Sequence, residues 1–255
     1  MYKLNRWNML QINVEFDFTT DTPTYWNGFW ERRDGLGLGA CDPDTYSSTL
    51  KAYHQLLWSK PLPNGDVMDL KPDPSGYLSW KVFRFGSDSI IVDFRYERCR
   101  ELLKRVEASI PDYRAFVEDN VRKSYTIGGM IIFPRHQNSL NQIRGWNRLI
   151  CDRWDLTLEC IRRYYAGVKN PLSWVLESDK AFFDLFVNFK GYVDFFFLQD
   201  CVSADYSSVD IWLGDGNLET NPLPKTVEEY LHWIKKEMEF LQKRNNRIKA
   251  YAQTV

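Results

Sequence analysis

Hydrophobic and polar residues alternate over residues 11–18 (QINVEFDF). This period of two places the apolar side chains on one face, so it predicts a half-buried strand. Short apolar runs over residues 89–96 and 128–133 predict two further strands, and residues 67–70 leave room for a short fourth one. The predicted strands therefore gather in the N-terminal half of the chain.

Apolar residues at helical spacing predict most of the remaining elements. The predicted helices cover residues 47–58, 97–107, 111–123, 140–146, 153–165, 171–177 and 179–198, and a long terminal helix follows them. This order of strands and helices favours an α+β fold over a regularly alternating one. We expect a small, mostly antiparallel sheet in the N-terminal half packed by helices, and a helical C-terminal half ending in a long amphipathic helix.

The terminal helix has the clearest pattern. Thr226 and Glu229 form a capping box at its start. Its apolar seam consists of Val227, Leu231, Ile234, Met238 and Leu241, continued by Asn245 and Ile248. We expect this seam to dock on the body of the domain or, alternatively, to bind a protein partner through residues 227–248. The whole chain, residues 1–255, fits a single domain with a soft subdivision near residues 124–128.

Composition adds an aromatic share of 16% and a net charge of −1. Most aromatic residues are expected to fill the core, such as those between Phe182 and Phe197, and some to line a groove that stacks on a ligand. The charge shows no global nucleic-acid footprint, although local basic patches stay open.

Several classes of protein are disfavoured. Five widely spaced cysteines without a C-x-x-C motif favour reduced thiols, and the three histidines lie far apart, so no metal site is expected. The N-terminus lacks the apolar segment of a signal peptide, and the longest apolar stretch, near residues 192–198, is too short to span a bilayer. These features predict a cytoplasmic protein without a membrane role, and they indicate no particular cofactor.

The most unusual segment is the arginine-rich, lysine-free stretch over residues 134–165, which directly follows a predicted strand. Polar residues at a strand exit are a common place for a site, because the strand holds them rigid. A planar guanidinium binds phosphate through two hydrogen bonds, so a phosphate-bearing ligand is expected. The candidate ligand-binding residues of this segment are Arg135, Asn138, Asn141, Gln142, Arg144, Arg148 and Arg153.

Three residues of the same segment are candidates for acid–base catalysis. His136 is a candidate because an imidazole can both donate and accept a proton, and Asp155 and Glu159 share one face of the predicted helix over residues 153–165. The alternatives are a surface histidine, and acids that pair with nearby arginines or face water.

A second candidate group lies within residues 16–30. Asp17 and Thr19 lie at the end of a predicted strand and could bind a sugar hydroxyl or a metal ion, and Trp26 offers a ring for stacking. Alternatively, the carboxylate and the hydroxyl form a turn that starts a short helix, and the aromatic residues cover the core.

Long, specific segments include YHQLLWSKPLPNGDVMDL, SYTIGGMIIFP and CDRWDLTLECIRRYY, and together such segments cover most of the chain. In these segments the chain resembles a bacterial family catalogued only as a domain of unknown function. The resemblance implies a bacterial or phage-borne cytosolic protein and supplies no activity or catalytic residue. It is the sole basis for expecting a part in phage–host conflict.

Two functions are therefore predicted. The first is binding or processing of a phosphate-bearing ligand, a nucleotide or nucleic acid, by the loop and helix at residues 134–165. The alternative is a protein-binding module without catalysis, such as an inhibitor or a component of phage–host conflict. The sequence leaves open whether the protein is an enzyme and whether residues 16–30 and 134–165 form one site.

Overall fold

A computed structural model describes residues 11–33, 41–90, 96–144, 150–219 and 223–254. Within these ranges the chain forms a four-stranded antiparallel sheet covered by helices. The strands are β1 (Lys71–Pro72), β2 (Leu78–Trp80), β3 (Phe83–Ser89) and β4 (Met130–Pro134), and they pair in that order. The predicted α+β class with a small antiparallel sheet is confirmed.

Helices precede the sheet, separate β3 from β4 and form the C-terminal half. They are α1 (Tyr25–Arg33), α2 (Pro43–Tyr46), α3 (Ser48–Trp58), α4 (Tyr96–Ser109), α5 (Tyr113–Ser124), α6 (Leu140–Ile143), α7 (Trp154–Tyr165), α8 (Ser173–Ser178), α9 (Lys180–Phe183), α10 (Phe189–Phe195) and α11 (Val227–Ala252). Short 3₁₀ turns cover Ile127–Gly129, Asp184–Phe186 and Gln199–Cys201. The predicted helical second half and its long terminal helix are confirmed.

The strand predicted over residues 11–18 is wrong, because these residues form turns. The side chain of Asn13 accepts a hydrogen bond from the N–H of Glu15 at 3.0 Å, and its carbonyl oxygen accepts from the N–H of Phe16 at 3.1 Å. Such local bonds offer the backbone an alternative to a sheet ladder. Val14 and Phe18 are still buried, so the alternation indicated burial rather than strand pairing.

Two other strand predictions are displaced. The strand expected over residues 89–96 lies earlier in the chain, as β3, and residues 91–95 are outside the described part. The strand expected over residues 67–70 is reduced to a bridge between Pro61 and Val67.

The single helix predicted over residues 179–198 is divided. Val187 has a φ of 68°, which no right-handed helix accommodates. The side chain of Asn188 then accepts from the N–H of Gly191 at 2.9 Å and caps α10. The surrounding phenylalanines nevertheless form core, as expected: Phe182, Phe183, Phe186 and Phe196 are fully buried.

The terminal helix α11 docks on the domain along a face that coincides with the predicted seam only in its second half. The buried residues of this face are Tyr230, Trp233, Glu237, Phe240, Leu241, Arg244, Asn245 and Ile248. Of the predicted seam, Leu241, Asn245 and Ile248 are therefore buried, whereas Leu231 is 37% exposed. Two charged residues, Glu237 and Arg244, lie on the buried face, so the pattern of apolar residues did not reveal where this face lies.

Arg244 and Asn245 fasten α11 to the middle of the chain. Arg244 is fully buried and donates to the carbonyl oxygens of Gly128 (2.6 Å), Met130 (2.9 Å) and Phe196 (3.1 Å). Asn245 accepts from the N–H of Gly128 at 2.7 Å. Residues on both sides of 124–128 contribute to the same hydrophobic cluster. No helix in the described ranges has the length and apolar character needed to span a bilayer.

Candidate functional site

The loop after β4 carries the exposed part of the arginine-rich segment. Arg135, Asn138 and Gln142 are exposed, and the Arg135 guanidinium lies 4.5 Å from the ring centroid of Tyr77. The N–H of Arg135 donates to the carbonyl oxygen of Arg84 at 2.7 Å, which extends the β3–β4 pairing. Among the described residues, Arg135 has no carboxylate partner, so it stays open to an anion.

His136 forms a pair with Asp179. Its Nε2 lies 2.6 Å from Oδ1 of Asp179, and its Nδ1 accepts from the N–H of Asn138 at 3.3 Å. An accepting Nδ1 places the proton of the neutral ring on Nε2, which donates to the carboxylate. Oδ2 of Asp179 accepts from the N–H of Leu140 at 3.2 Å, so the pair ties the loop to the start of α9. Burial raises the pKa of Asp179, and the hydrogen bond from His136 opposes that rise.

Asn141 is engaged within the loop. Its Oδ1 accepts from the hydroxyl of Ser139 at 2.6 Å, and its amide nitrogen would lie 3.3 Å from a Cβ placed on Gly86. This packing orients the amide toward the protein itself. Arg148, another predicted ligand residue, lies outside the described residues.

Arg144 enters a group of carboxylates beside β3. Its Nε donates to Asp88 at 2.9 Å, a terminal nitrogen donates to the carbonyl oxygen of Ser89 at 2.6 Å, and the other lies 3.2 Å from Asp152. The side chain is only 7% exposed, so these partners neutralise its charge. Burial, with neighbouring carboxylates adding to it, raises the pKa of Asp88 to about 6 against the opposing effect of Arg144.

A chain of hydrogen bonds that the sequence did not reveal leads into this group. Trp58 Nε1 donates to Nδ1 of His54 at 2.8 Å, Nε2 of His54 lies 2.9 Å from the hydroxyl of Ser87, and that hydroxyl donates to Asp44 at 3.1 Å. Because an indole N–H can only donate, the proton of neutral His54 sits on Nε2. His54 therefore cannot accept the proton of Ser87, which excludes a nucleophilic Ser–His pair here. Burial, with Arg244 adding to it, lowers the pKa of His54 to about 3.

Arg153 and Asp155 are completely buried and bind each other. Nε of Arg153 donates to Oδ1 of Asp155 at 3.0 Å, and a terminal nitrogen donates to Oδ2. Asp155 also accepts from the N–H of Trp212 at 2.9 Å, and the Arg153 guanidinium lies 4.7 Å from the ring centroid of Trp233. This pair therefore links Trp212 and α11 to the start of α7.

Glu159 pairs with arginines of its own helix. It accepts from Arg162 at 2.7 Å and from Arg163 at 2.8 Å. Burial alone would raise the pKa of Glu159, but these hydrogen bonds lower it below its usual value. Glu159 and Asp155 therefore have separate partners and do not form a shared row of acids.

The second predicted group forms a turn. Asp17 Oδ1 accepts from the N–H of Thr19 at 2.9 Å, and Oδ2 accepts from Arg122 at 3.0 Å. The Arg122 guanidinium in turn lies 4.5 Å from the ring centroid of Trp26. The predicted residues thus lie in separate groups: Asp17 with Arg122, His136 with Asp179, and Arg144 with Asp88. In the described ranges, no set of His, Cys, Asp or Glu side chains is arranged to hold a metal ion.

A pocket that the sequence did not predict lies beyond the end of α3. It has a volume of about 670 Å³ and is lined by Lys60, Asn188, Lys190, Asp194, Phe197 and Tyr251, among others. Lys190 pairs with Asp194, and Asp194 also accepts from Tyr206 at 2.8 Å. The wall of the pocket therefore combines aromatic rings with polar groups, as ligand pockets do.

Lys60 is the most unusual group of this pocket. It is 9% exposed, and its Nζ donates to the carbonyl oxygen of Phe195 at 2.7 Å. The centroids of four rings surround Nζ at 4.0–5.1 Å: Phe197, Phe195, Tyr251 and Trp58. Among the described residues, no carboxylate pairs with it.

The charge of Lys60 is strongly disfavoured. Burial, together with the nearby Arg244 guanidinium, lowers its pKa to about 7. The contacts with the rings offset part of the burial cost. The sequence places Lys60 two residues after Trp58, the last residue of α3, but the other three rings come from Phe195, Phe197 and Tyr251.

Comparisons with known proteins give a family and no function. Neither a search of the curated proteins nor a search of the solved structures found a match. The model of one family, DUF6994, matches residues 12–248, and this family is described as one of unknown function. The match spans nearly the whole chain, in line with the resemblance carried by its long segments. The chain therefore belongs to the DUF6994 family of unknown function.

Proposed function

We propose that this protein binds a small phosphate-bearing ligand, such as a nucleotide, in the pocket at Lys60. The observation that carries the proposal is a buried lysine that faces a 670 Å³ pocket without a carboxylate partner in the described part of the chain. A buried charge is ordinarily paired, because removing it from water costs several kcal/mol.

The other buried cations show what Lys60 lacks. Arg144 and Arg153 each have carboxylate partners, and Arg244 donates to three backbone carbonyl oxygens. Lys60 has one carbonyl oxygen and the faces of rings. An anionic ligand in the pocket would supply the missing partner and stabilise the ammonium form.

The pocket also fits the rest of such a ligand. Phe186, Phe197 and Tyr251 provide ring surfaces on which a base or another flat group can stack. Asn188 and Lys190 add donors on the same wall. The ligand class is the one expected from the sequence, but the arginines proposed to hold it, Arg144 and Arg153, already bind carboxylates.

Isothermal titration calorimetry with inorganic phosphate and nucleoside monophosphates tests the proposal. We expect binding to the wild-type protein and a loss of affinity of about tenfold or more in Lys60→Met. Lys180→Met is the matched control, because Lys180 is an exposed lysine that pairs with Asp184 outside the pocket.

Arg135→Ala separates the pocket from the loop after β4. Unchanged affinity in this variant supports the pocket, whereas a loss in Arg135→Ala with none in Lys60→Met would place the ligand at the loop. Absence of binding by every phosphate compound to the wild-type protein would overturn the proposal.

A further inference from the structure

We infer that Lys60 is a nucleophile that forms an imine with an aldehyde or ketone group of a phosphate-bearing ligand. The inference rests on the proposed function and names the substrate class of the same pocket. Its basis is the position of Lys60, which lines the pocket and whose Nζ is enclosed by four rings and donates to the carbonyl oxygen of Phe195.

Imine formation requires a neutral amine, because only the neutral nitrogen has a free lone pair. Burial and the neighbouring Arg244 lower the pKa of Lys60 to about 7, so a large share of the amine is neutral at physiological pH. An exposed lysine, with a pKa near 10.4, is about a thousandfold less deprotonated there. Desolvation and a neighbouring cation are two known ways in which proteins activate lysine.

The pocket contains few other charges that could change the protonation of Lys60. Arg244 approaches from α11, and His54 is a neighbour through Trp58 but is kept neutral by burial. Lys190 and Asp194 also line the pocket, where they pair with each other. No carboxylate in the described part of the chain is thus close enough to Nζ to hold it as an ammonium ion.

Tyr251 is placed to move the protons of the reaction. Its ring centroid lies 4.9 Å from Nζ, and its hydroxyl forms no hydrogen bond within the described residues. Burial raises the pKa of Tyr251, so the phenol stays protonated and able to donate. It lines the same pocket as Lys60.

The step balances without a further reactant. The Nζ lone pair attacks the carbonyl carbon, a C–N bond forms, and one nitrogen proton passes to the carbonyl oxygen, which becomes a hydroxyl. The C–O bond then breaks as the Tyr251 phenol donates a proton to this hydroxyl, and the oxygen leaves as water. The nitrogen keeps its remaining proton, and the Tyr251 phenolate takes up a proton from water. The resulting protonated imine carries the same single positive charge as the ammonium, so the phosphate keeps its partner.

Reductive trapping on the wild-type protein tests the inference. The probe is glycolaldehyde phosphate with sodium cyanoborohydride, and peptide mass mapping gives the labelling rate of each lysine. At neutral pH we expect Lys60 to be labelled at least about tenfold faster than Lys180. Its rate should level off above about pH 7, whereas the rate at Lys180 should continue to rise with pH.

Two variants sharpen the result. Lys60→Arg removes the nucleophile and keeps a cation, so the adduct at this position should disappear. Tyr251→Phe keeps the ring and removes the proton donor, so it should slow labelling of Lys60 about tenfold without moving the pH at which the labelling rate levels off. A purely structural role of Tyr251 would instead change the surroundings of Lys60 and shift that pH.

Labelling of Lys60 at the rate and pH profile of Lys180 would overturn the inference. If inorganic phosphate binds in calorimetry but no adduct forms at Lys60, the imine is excluded and the proposed function stands. If unphosphorylated glycolaldehyde labels Lys60 as fast as its phosphate does and phosphate does not bind, the nucleophile is supported and the phosphate site is excluded.

Discussion

At the residue scale, the notable feature of this protein is its buried charged side chains, and each is stabilised in a different way. Arg153 and Asp155 are fully buried and neutralise each other. Arg244 is held by carbonyl oxygens, and burial lowers its pKa to about 10. Lys60 has neither a carboxylate nor a full set of acceptors in the described part of the chain, and it is the charge that faces a pocket. This difference gives the arginines structural roles and is the basis for proposing a ligand at the lysine.

The low pKa of Lys60 makes stability depend on pH in a defined direction. The unfolded chain holds the lysine proton up to about pH 10.4, whereas the folded protein releases it near pH 7. Between these values the unfolded state binds more protons, so the free energy of unfolding rises with pH, by up to about 1.4 kcal/mol per pH unit.

We therefore expect wild-type stability relative to Lys60→Met to increase between about pH 7 and about pH 9.5. Urea unfolding at a series of pH values measures this difference. In Lys180→Met, which removes an exposed lysine, the difference should stay flat over the same range. A constant offset between wild type and Lys60→Met would show that Lys60 is not desolvated.

At the element scale, the junction between α5 and β4 is the tightest point. Gly128 and Gly129 pass close to α5 and α11, and a Cβ on Gly129 would lie 1.8 Å from the carbonyl oxygen of Ser124. Real Cβ atoms do not approach backbone this closely, so glycine is required for β4 to follow α5 directly. The same junction receives the hydrogen bonds of Arg244 and Asn245.

Gly129→Ala should therefore destabilise the fold by roughly 3 kcal/mol or more, because the end of α5 must move. The thermal unfolding midpoint and the yield of folded protein measure the effect. Gly86→Ala is the matched control: its nearest neighbour is a side-chain atom of Asn141 at 3.3 Å, which can shift, so a cost below about 1 kcal/mol is expected. Equal costs in the two variants would contradict the close packing of this junction.

At the scale of the whole molecule, α11 joins parts of the chain that are distant in sequence. Arg244 alone contacts the 3₁₀ turn before β4, β4 itself and the segment after α10. Its charge also lowers the pKa of both His54 and Lys60. The helix thus sets the electrostatics of the pocket as well as the packing of the core.

Arg244→Met should cost roughly 2–4 kcal/mol, since three buried carbonyl oxygens lose their donor. Urea unfolding followed by tryptophan fluorescence and circular dichroism measures it. Arg247→Met is the control on the same helix, because Arg247 forms a partly exposed pair with Asp200 and should cost about 1 kcal/mol or less. Similar losses of stability in both variants would show that the hydrogen bonds of Arg244 contribute no more than a surface ion pair does.

The local sequence pattern was sufficient to predict the elements whose backbone hydrogen bonds join residues close in sequence. The cap of α11 is one case, with Thr226 accepting from the N–H of Glu229 at 3.1 Å. The positions of α3, α5 and α7 are others, since their backbone bonds join residues four apart. Strands were harder to place, because a strand needs hydrogen bonds to a partner that is distant in sequence. In residues 11–18, local hydrogen bonds form a turn instead of a strand.

The sequence by itself determined the α+β class, the helical second half and the aromatic core, because each follows from the period or abundance of apolar residues. Tertiary structure alone decided which charges are buried. Arginine content marked residues 134–165, but only folding showed that Arg144 and Arg153 already have carboxylate partners. Only folding brought residues 195–197 and Tyr251 around Lys60. The physical reason is that desolvation depends on neighbours in space, which no local pattern of residues records.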